Sequence, residues 1–197
     1  MGLAITAYAN VELVKEHSED IECLYEYLEE KGIEGTVLQV NKHFPLQGEG
    51  LVEGAYTYEG AYSEFRCGYG NYSELRNILS KLAGNKPITK EALLERVPED
   101  EHHWYLGVDG NVTKPYQWSV FNKPETSKLS RLIHFSDCEG VINNESCKLI
   151  NEELGELISN MEKLIDKEVY LPWENLIKKL YQTFKFAADN KGVVEFH

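Results

Sequence analysis

At 197 residues the chain is long enough for one medium domain, and 42% hydrophobic against 27% charged residues is an ordinary globular composition. Its 33 acidic residues against 20 basic ones, a formal net charge of −13, argue against nonspecific nucleic-acid binding and an anionic membrane surface, which both need clustered cations. No run reaches the ~18 apolar residues of a membrane span, and the opening residues carry no basic, cleavable leader pattern.

In chain order, residues 2–14 read as an opening strand. Ser18 is placed to cap an amphipathic helix with Ile21, Leu24, Tyr25 and Leu28 on one side, ending near Gly32. Residues 35–40 alternate as a short strand and 45–50 form a loop. The aromatic-rich stretch 51–67 reads as two strands with Gly60 at the turn. A helix is expected from Asn71, with Glu74 completing a capping box and Gly84 ending it. Residues 89–97 suggest a short helix, 98–110 a charged loop, 114–124 an aromatic segment and 129–135 a strand.

The last third is helical. One apolar stripe runs from Cys147 through Ile150, Leu154, Leu157, Ile158, Met161, Leu164 and Ile165. Pro172 is expected at the first turn of a second helix, carrying Trp173, Leu176, Ile177, Leu180, Tyr181, Phe184 and Ala188. Residues 190–192 read as its C-cap and 193–196 as a terminal strand. The expectation is an α+β fold, 1–197 forming a single domain: strands to about 142 in a mixed or antiparallel sheet, helices on one side, two long C-terminal helices over 144–190.

The four cysteines at 23, 67, 138 and 147 form no CxxC pair and read as reduced thiols. No residue set is assigned to a metal, and no cofactor fingerprint is present. Gly68-Tyr69-Gly70 lacks the third glycine of a dinucleotide loop. It nonetheless lies between a strand pattern and a helix pattern, bracketed by Arg66 and Arg76. Free amides at a helix start, beside guanidiniums, suit an anion. On this reading Arg66, Gly68, Gly70, Asn71 and Arg76 hold phosphate, while Tyr69, Tyr72, Trp104 or Trp118 stack on a base. Arg66→Ala and Arg76→Ala are each expected to weaken ligand binding while the fold survives. The alternative is a plain strand–helix connection whose arginines pair with internal carboxylates.

A second cluster, His134, Ser136, Asp137 and Glu139, follows the 129–135 strand and offers ribose contacts, acid–base groups or, through His134, Asp137 and Glu139, ligands for a divalent metal. Cys138 and His134, four positions apart on a strand, lie too far apart to act as nucleophile and base unless a turn brings them together. A third, scattered group is His102, His103, Asp109, Glu195 and His197, where solvated surface and a fraying end are the simpler readings.

The run Phe135-Ser136-Asp137-Cys138-Glu139-Gly140-Val141-Ile142, the segment from Phe65 to Arg76, the opening Met1-Gly2-Leu3-Ala4-Ile5-Thr6-Ala7-Tyr8 and the ending through Val194-Glu195-Phe196-His197 resemble a family of small bacteriophage and prophage proteins. Members of that family typically read Arg-Ala-Gly-Ser-Tyr where this chain has Arg66-Cys67-Gly68-Tyr69-Gly70. The resemblance implies a phage protein in the cytoplasm of an infected bacterium. By analogy with phage sponges, it would sequester a small anionic nucleotide-derived signal, such as a cyclic ADP-ribose-like molecule, and counter bacterial immunity. Binding is favoured over catalysis. The alternatives are a hydrolase or phosphodiesterase using His134, Asp137 and Glu139, and an acidic inhibitor of a host enzyme. The implied partner is that ligand, with neither nucleic acid nor membrane, and a homo-oligomer is compatible with the reading.

Overall fold

A computed structural model describes residues 2–14, 21–32, 37–41, 47–83, 128–133, 135, 139–165 and 167–197. The α+β expectation holds. The chain runs β1 (Gly2–Ala9), β2 (Glu12–Leu13), α1 (Ile21–Glu30), β3 (Val37–Val40), β4 (Gly54–Thr57), β5 (Gly60–Gly68), α2 (Tyr69–Leu82), α3 (Ser130–Ile133), β6 (Gly140–Ile142), α4 (Asn144–Leu164), α5 (Lys167–Asp189) and β7 (Val193–Phe196).

The strands form two antiparallel sheets, a main one ordered β5-β1-β7-β6 and a smaller one ordered β2-β4-β3. The opening strand is therefore two strands in different sheets, parted at Asn10, whose φ of 49° turns the chain between them. The strand expected over 193–196 is present, and it lies between β1 and β6 rather than at an edge.

Alternation along the strands sorts the main sheet into two faces. Leu3, Ile5, Ala7, Phe65, Ile142, Val194 and Phe196 point into the principal core, packed by Tyr72 and Leu75 of α2, Ile150, Leu154 and Leu157 of α4, and Ile177, Leu180 and Phe184 of α5. On the other face Val141, Val193 and Tyr8 meet Leu38, Val40 and Tyr56 of the small sheet. The far side of that sheet packs Ala55 against Leu24 and Leu28 of α1. The result is four layers: helices, main sheet, small sheet, helix. The expectation of helices on one side describes the main sheet, and α1 adds a layer beyond the second one.

Several local expectations change. Leu24 and Leu28 are buried, but Tyr25 is 53% exposed, because one step along a helix turns a side chain about 100° from its neighbour. Strand β5 runs straight into α2, which begins at Tyr69 with Gly68 as its cap, so no capping box forms at Asn71. Residues 129–135 contain a helical turn instead of a strand. The buried Glu153 carboxylate accepts hydrogen bonds from the amides of Lys128 (2.5 Å) and Leu129 (3.2 Å), satisfying donors at the start of that turn. Leu129, Leu132 and Ile133 then all reach the core.

Pro172 lies inside α5 rather than at its start, where its missing N–H costs one intrahelical bond. The C-cap of α5 is a Schellman motif: Gly192 N–H donates to Ala187 O (2.8 Å), and the left-handed position is taken by Lys191, φ 49°. Gly192 is required for another reason, since a Cβ there would collide with the Tyr8 carbonyl oxygen. Asn143 caps α4, its Oδ1 accepting from Ser146 N–H at 2.8 Å.

Candidate functional site

The structure does not bring the two arginines of the glycine loop together. On β5, Phe65 pairs with Ile5 and Cys67 with Leu3, all inward; Arg66, opposite Ala4, is on the other face and exposed. Arg76 is 2% exposed. Its guanidinium lies 4.9 Å from the Tyr72 ring centroid, and Nη1 donates to Phe135 O at 2.8 Å. Tyr72 is equally committed, with edge contacts to Phe65 (6.2 Å) and Phe196 (6.1 Å). These two residues tie α2 to residue 135 and to the sheet, and neither meets solvent. Gly68, Gly70 and Asn71 are exposed and Tyr69 is half-buried, and neither glycine adopts positive φ. The anion socket read from the sequence is thus divided by the sheet: Arg66 lies on one face and Arg76 beneath the other. The reason is parity: a strand of known register decides which way each alternate side chain points. Trp104, Trp118, His134, Ser136 and Asp137 lie outside the described residues, as do His102, His103 and Asp109.

Glu139 falls elsewhere, in a groove the sequence did not define. A cavity of about 300 Å³ opens there, lined by Gln39, Asn41, Gln47, Glu139, Gly140, Val141, Glu195, Phe196 and His197. Four regions build it. The end of β3 brings Gln39 and Asn41, the turn at 47–50 brings Gln47, the β6 entry brings Glu139 and Gly140, and β7 with the residue after it brings Glu195 and His197.

The floor is pinned by local chemistry. Gln47 is 4% exposed, and its Nε2 donates to Glu139 O at 2.8 Å. This packing needs Gly140, whose φ is 120° and where a Cβ would stand 2.5 Å from Gln47 Cγ. Gly48 N–H donates to Val141 O (2.8 Å), Asn143 Nδ2 donates to Glu49 O, and Glu49 forms an ion pair with Arg131. The turn at 47–50 is therefore held to β6 and α3 together.

On β7 the expected fraying does not occur. His197 and Ala4 exchange both backbone hydrogen bonds, 3.0 and 2.8 Å, extending the β1–β7 ladder. His197 Nε2 lies 2.8 Å from Thr6 Oγ1, which in turn lies 2.9 Å from Ser63 Oγ. Thr6 is 5% exposed, so the central hydroxyl of this hydroxyl–hydroxyl–imidazole bridge is buried, while Ser63 and His197 at its two ends are exposed. Tyr8 O–H donates to Glu195 Oε2 at 2.8 Å; burial first, then the Glu195 carboxylate, raises the Tyr8 phenol above its ordinary value and keeps it a donor. The Glu195 and His197 positions carried a readable signal. In Val193-Val194-Glu195-Phe196-His197, a strand with Val194 and Phe196 inward must place both polar side chains on one opposite face.

Of the four cysteines, the structure describes the side chains of Cys67 and Cys147, both free thiols. Burial pushes Cys67 up to about 11 and Cys147 further, so neither is a thiolate near neutrality. Among the described residues no group of three or more His, Cys, Asp or Glu side chains could hold a metal ion. Among the same residues no helix is long and apolar enough to cross a membrane. No family model, no curated protein and no solved structure matches the chain. The groove presents amides, two carboxylates and an imidazole, of which Glu195 is bonded to Tyr8, His197 to Thr6 and Gln47 to the Glu139 carbonyl.

Proposed function

We propose that this protein is a binding protein that sequesters a small nucleotide-derived molecule, taken into the groove between its two sheets. The observation that carries the reading is the preorganised polar lining. Glu195 is held by Tyr8, His197 by Thr6 and Gln47 by the Glu139 backbone, around a cavity of about 300 Å³. That volume lies at the small end of ligand pockets, about 300–1,000 Å³. It accommodates one nucleoside-sized group and leaves the rest of a larger ligand outside. Carboxylates and amides accept from ribose hydroxyls and base amino groups, so the recognised part of the ligand is rich in donors. The likeness of residues 135–142 to phage proteins supports an anti-defence role, in which a host signal is removed by capture.

Hydrolysis is the second reading, favoured by Glu139, Glu195 and His197 lining one groove. One experiment separates the two. The protein is screened by thermal shift against nucleotide signals, since a ligand that binds only the folded state raises the melting temperature. The bound molecule is then released by heat and analysed by mass spectrometry. Sequestration returns it intact, and hydrolysis returns product. A panel that produces no shift in the wild type, or the same shift in Glu195→Gln and His197→Ala, removes the groove as the site.

A further inference from the structure

His197, at the edge of the groove, is joined to Arg66 through the main sheet. His197 is hydrogen-bonded opposite Ala4, and Ala4 is the partner of Arg66 on β5. The three residues therefore form one row across β5, β1 and β7, on the face away from the helices. Two interstrand spacings place Arg66 and His197 about 10 Å apart at their backbones. On the sheet, Ala4 stands between them. In the next row Ser63, Thr6 and Glu195 share the same face, with Thr6 bridging Ser63 Oγ (2.9 Å) and His197 Nε2 (2.8 Å). When the Thr6 hydroxyl donates to Nε2, the ring proton resides on Nδ1, and His197 offers a donor to a ligand. Arg66 is exposed and, among the described residues, enters no ion pair. An uncommitted guanidinium, a small residue as floor and an imidazole oriented by a buried hydroxyl make a site for one compact anion.

We propose that this row is a phosphate subsite. It rests on the reading of the groove as a nucleoside-binding site and specifies the ligand further, as a nucleoside carrying phosphate at the end that leaves the groove toward β5. The arrangement also selects against long polyanions. Glu139 and Glu195 line the groove itself, so negative charge is tolerated at the Arg66 end and repelled at the other.

The test compares adenosine with adenosine 5′-monophosphate by isothermal titration calorimetry on the full chain at fixed salt. The phosphate is expected to raise affinity about 10- to 100-fold, the scale of charge-assisted hydrogen bonds. Arg66→Ala is expected to erase that advantage and leave adenosine binding as it was. Ala4→Val, a substitution that suits a strand, is expected to do the same by filling the floor; circular dichroism confirms that both variants fold. Equal affinity of the two probes in the wild type, or an advantage that survives Arg66→Ala, overturns the subsite while the groove reading stands. Absence of binding by either probe overturns both.

Discussion

The two faces of the main sheet are made from alternate residues of the same strands, and they differ in nearly every other respect. The helix-covered face is closed and largely apolar, and the buried guanidinium of Arg76 there is spent on the Tyr72 ring and the Phe135 carbonyl. The opposite face is apolar only where the small sheet covers it, at Val141, Val193 and Tyr8. Beyond that cover it carries Thr6, Ser63, Glu195, His197 and Arg66. The comparison teaches that residue type alone does not mark a site. Two arginines ten positions apart in sequence serve opposite purposes, because one is on the fold's inside and the other on its outside.

Substitution should separate the two faces. The largest effect is expected inside. Phe184→Ala, at a fully buried position, should cost about 3–5 kcal/mol in urea denaturation through lost burial and a residual cavity. Arg76→Ala should cost about 2–4 kcal/mol, leaving the Phe135 carbonyl without its charged donor and a void against Tyr72. Arg76→Met should recover part of that, since an apolar chain of similar length refills the space. Any folded fraction of Arg76→Ala should bind ligand normally; loss of binding at full stability would place Arg76 in the site after all.

Gly140→Ala bridges both faces. It forces a Cβ onto Gln47 at a φ of 120°, and should cost about 1–3 kcal/mol while also weakening ligand binding. Tyr8→Phe belongs to the outer face. It should cost about 0.5–1.5 kcal/mol in stability, and its larger signature should be altered ligand affinity from an unheld Glu195.

The smallest effect concerns pH. The folded state raises Cys67 from 9.0 to about 11, so its contribution is complete below pH 9 and fades as pH rises toward 11. Thermal melts over that interval should decline less steeply in Cys67→Ala than in the wild type. An identical decline would show that the Cys67 thiol ionises alike in folded and unfolded chains.

Much of this architecture was legible from residues alone. Helical stripes such as Ile150, Leu154, Leu157 and Met161 identify α4, because a 3.6-residue period can bury one side only as a helix. The run from Val193 to Phe196 reads as a strand by composition. The apolar cluster at 129–135 misleads, since Leu129, Leu132 and Ile133 fit either period over so short a span, and the deciding partner, Glu153, is 24 residues away from Leu129. The phosphate loop misleads for a related reason. Glycine, tyrosine and arginine near a helix start describe a competent site only if the strand's register turns them to one side.

The sequence by itself determined the class of fold, the two long helices, the closing strand and the acidic balance, because these depend on local periodicity and composition. The tertiary structure alone decided which polar residues meet. Gln39, Gln47, Glu139, Glu195 and His197 come from strands and turns spread along the chain, and are gathered by antiparallel pairing and by the packing of one sheet on the other. Such meetings are set by register and layer packing, long-range quantities that no window of neighbouring residues contains.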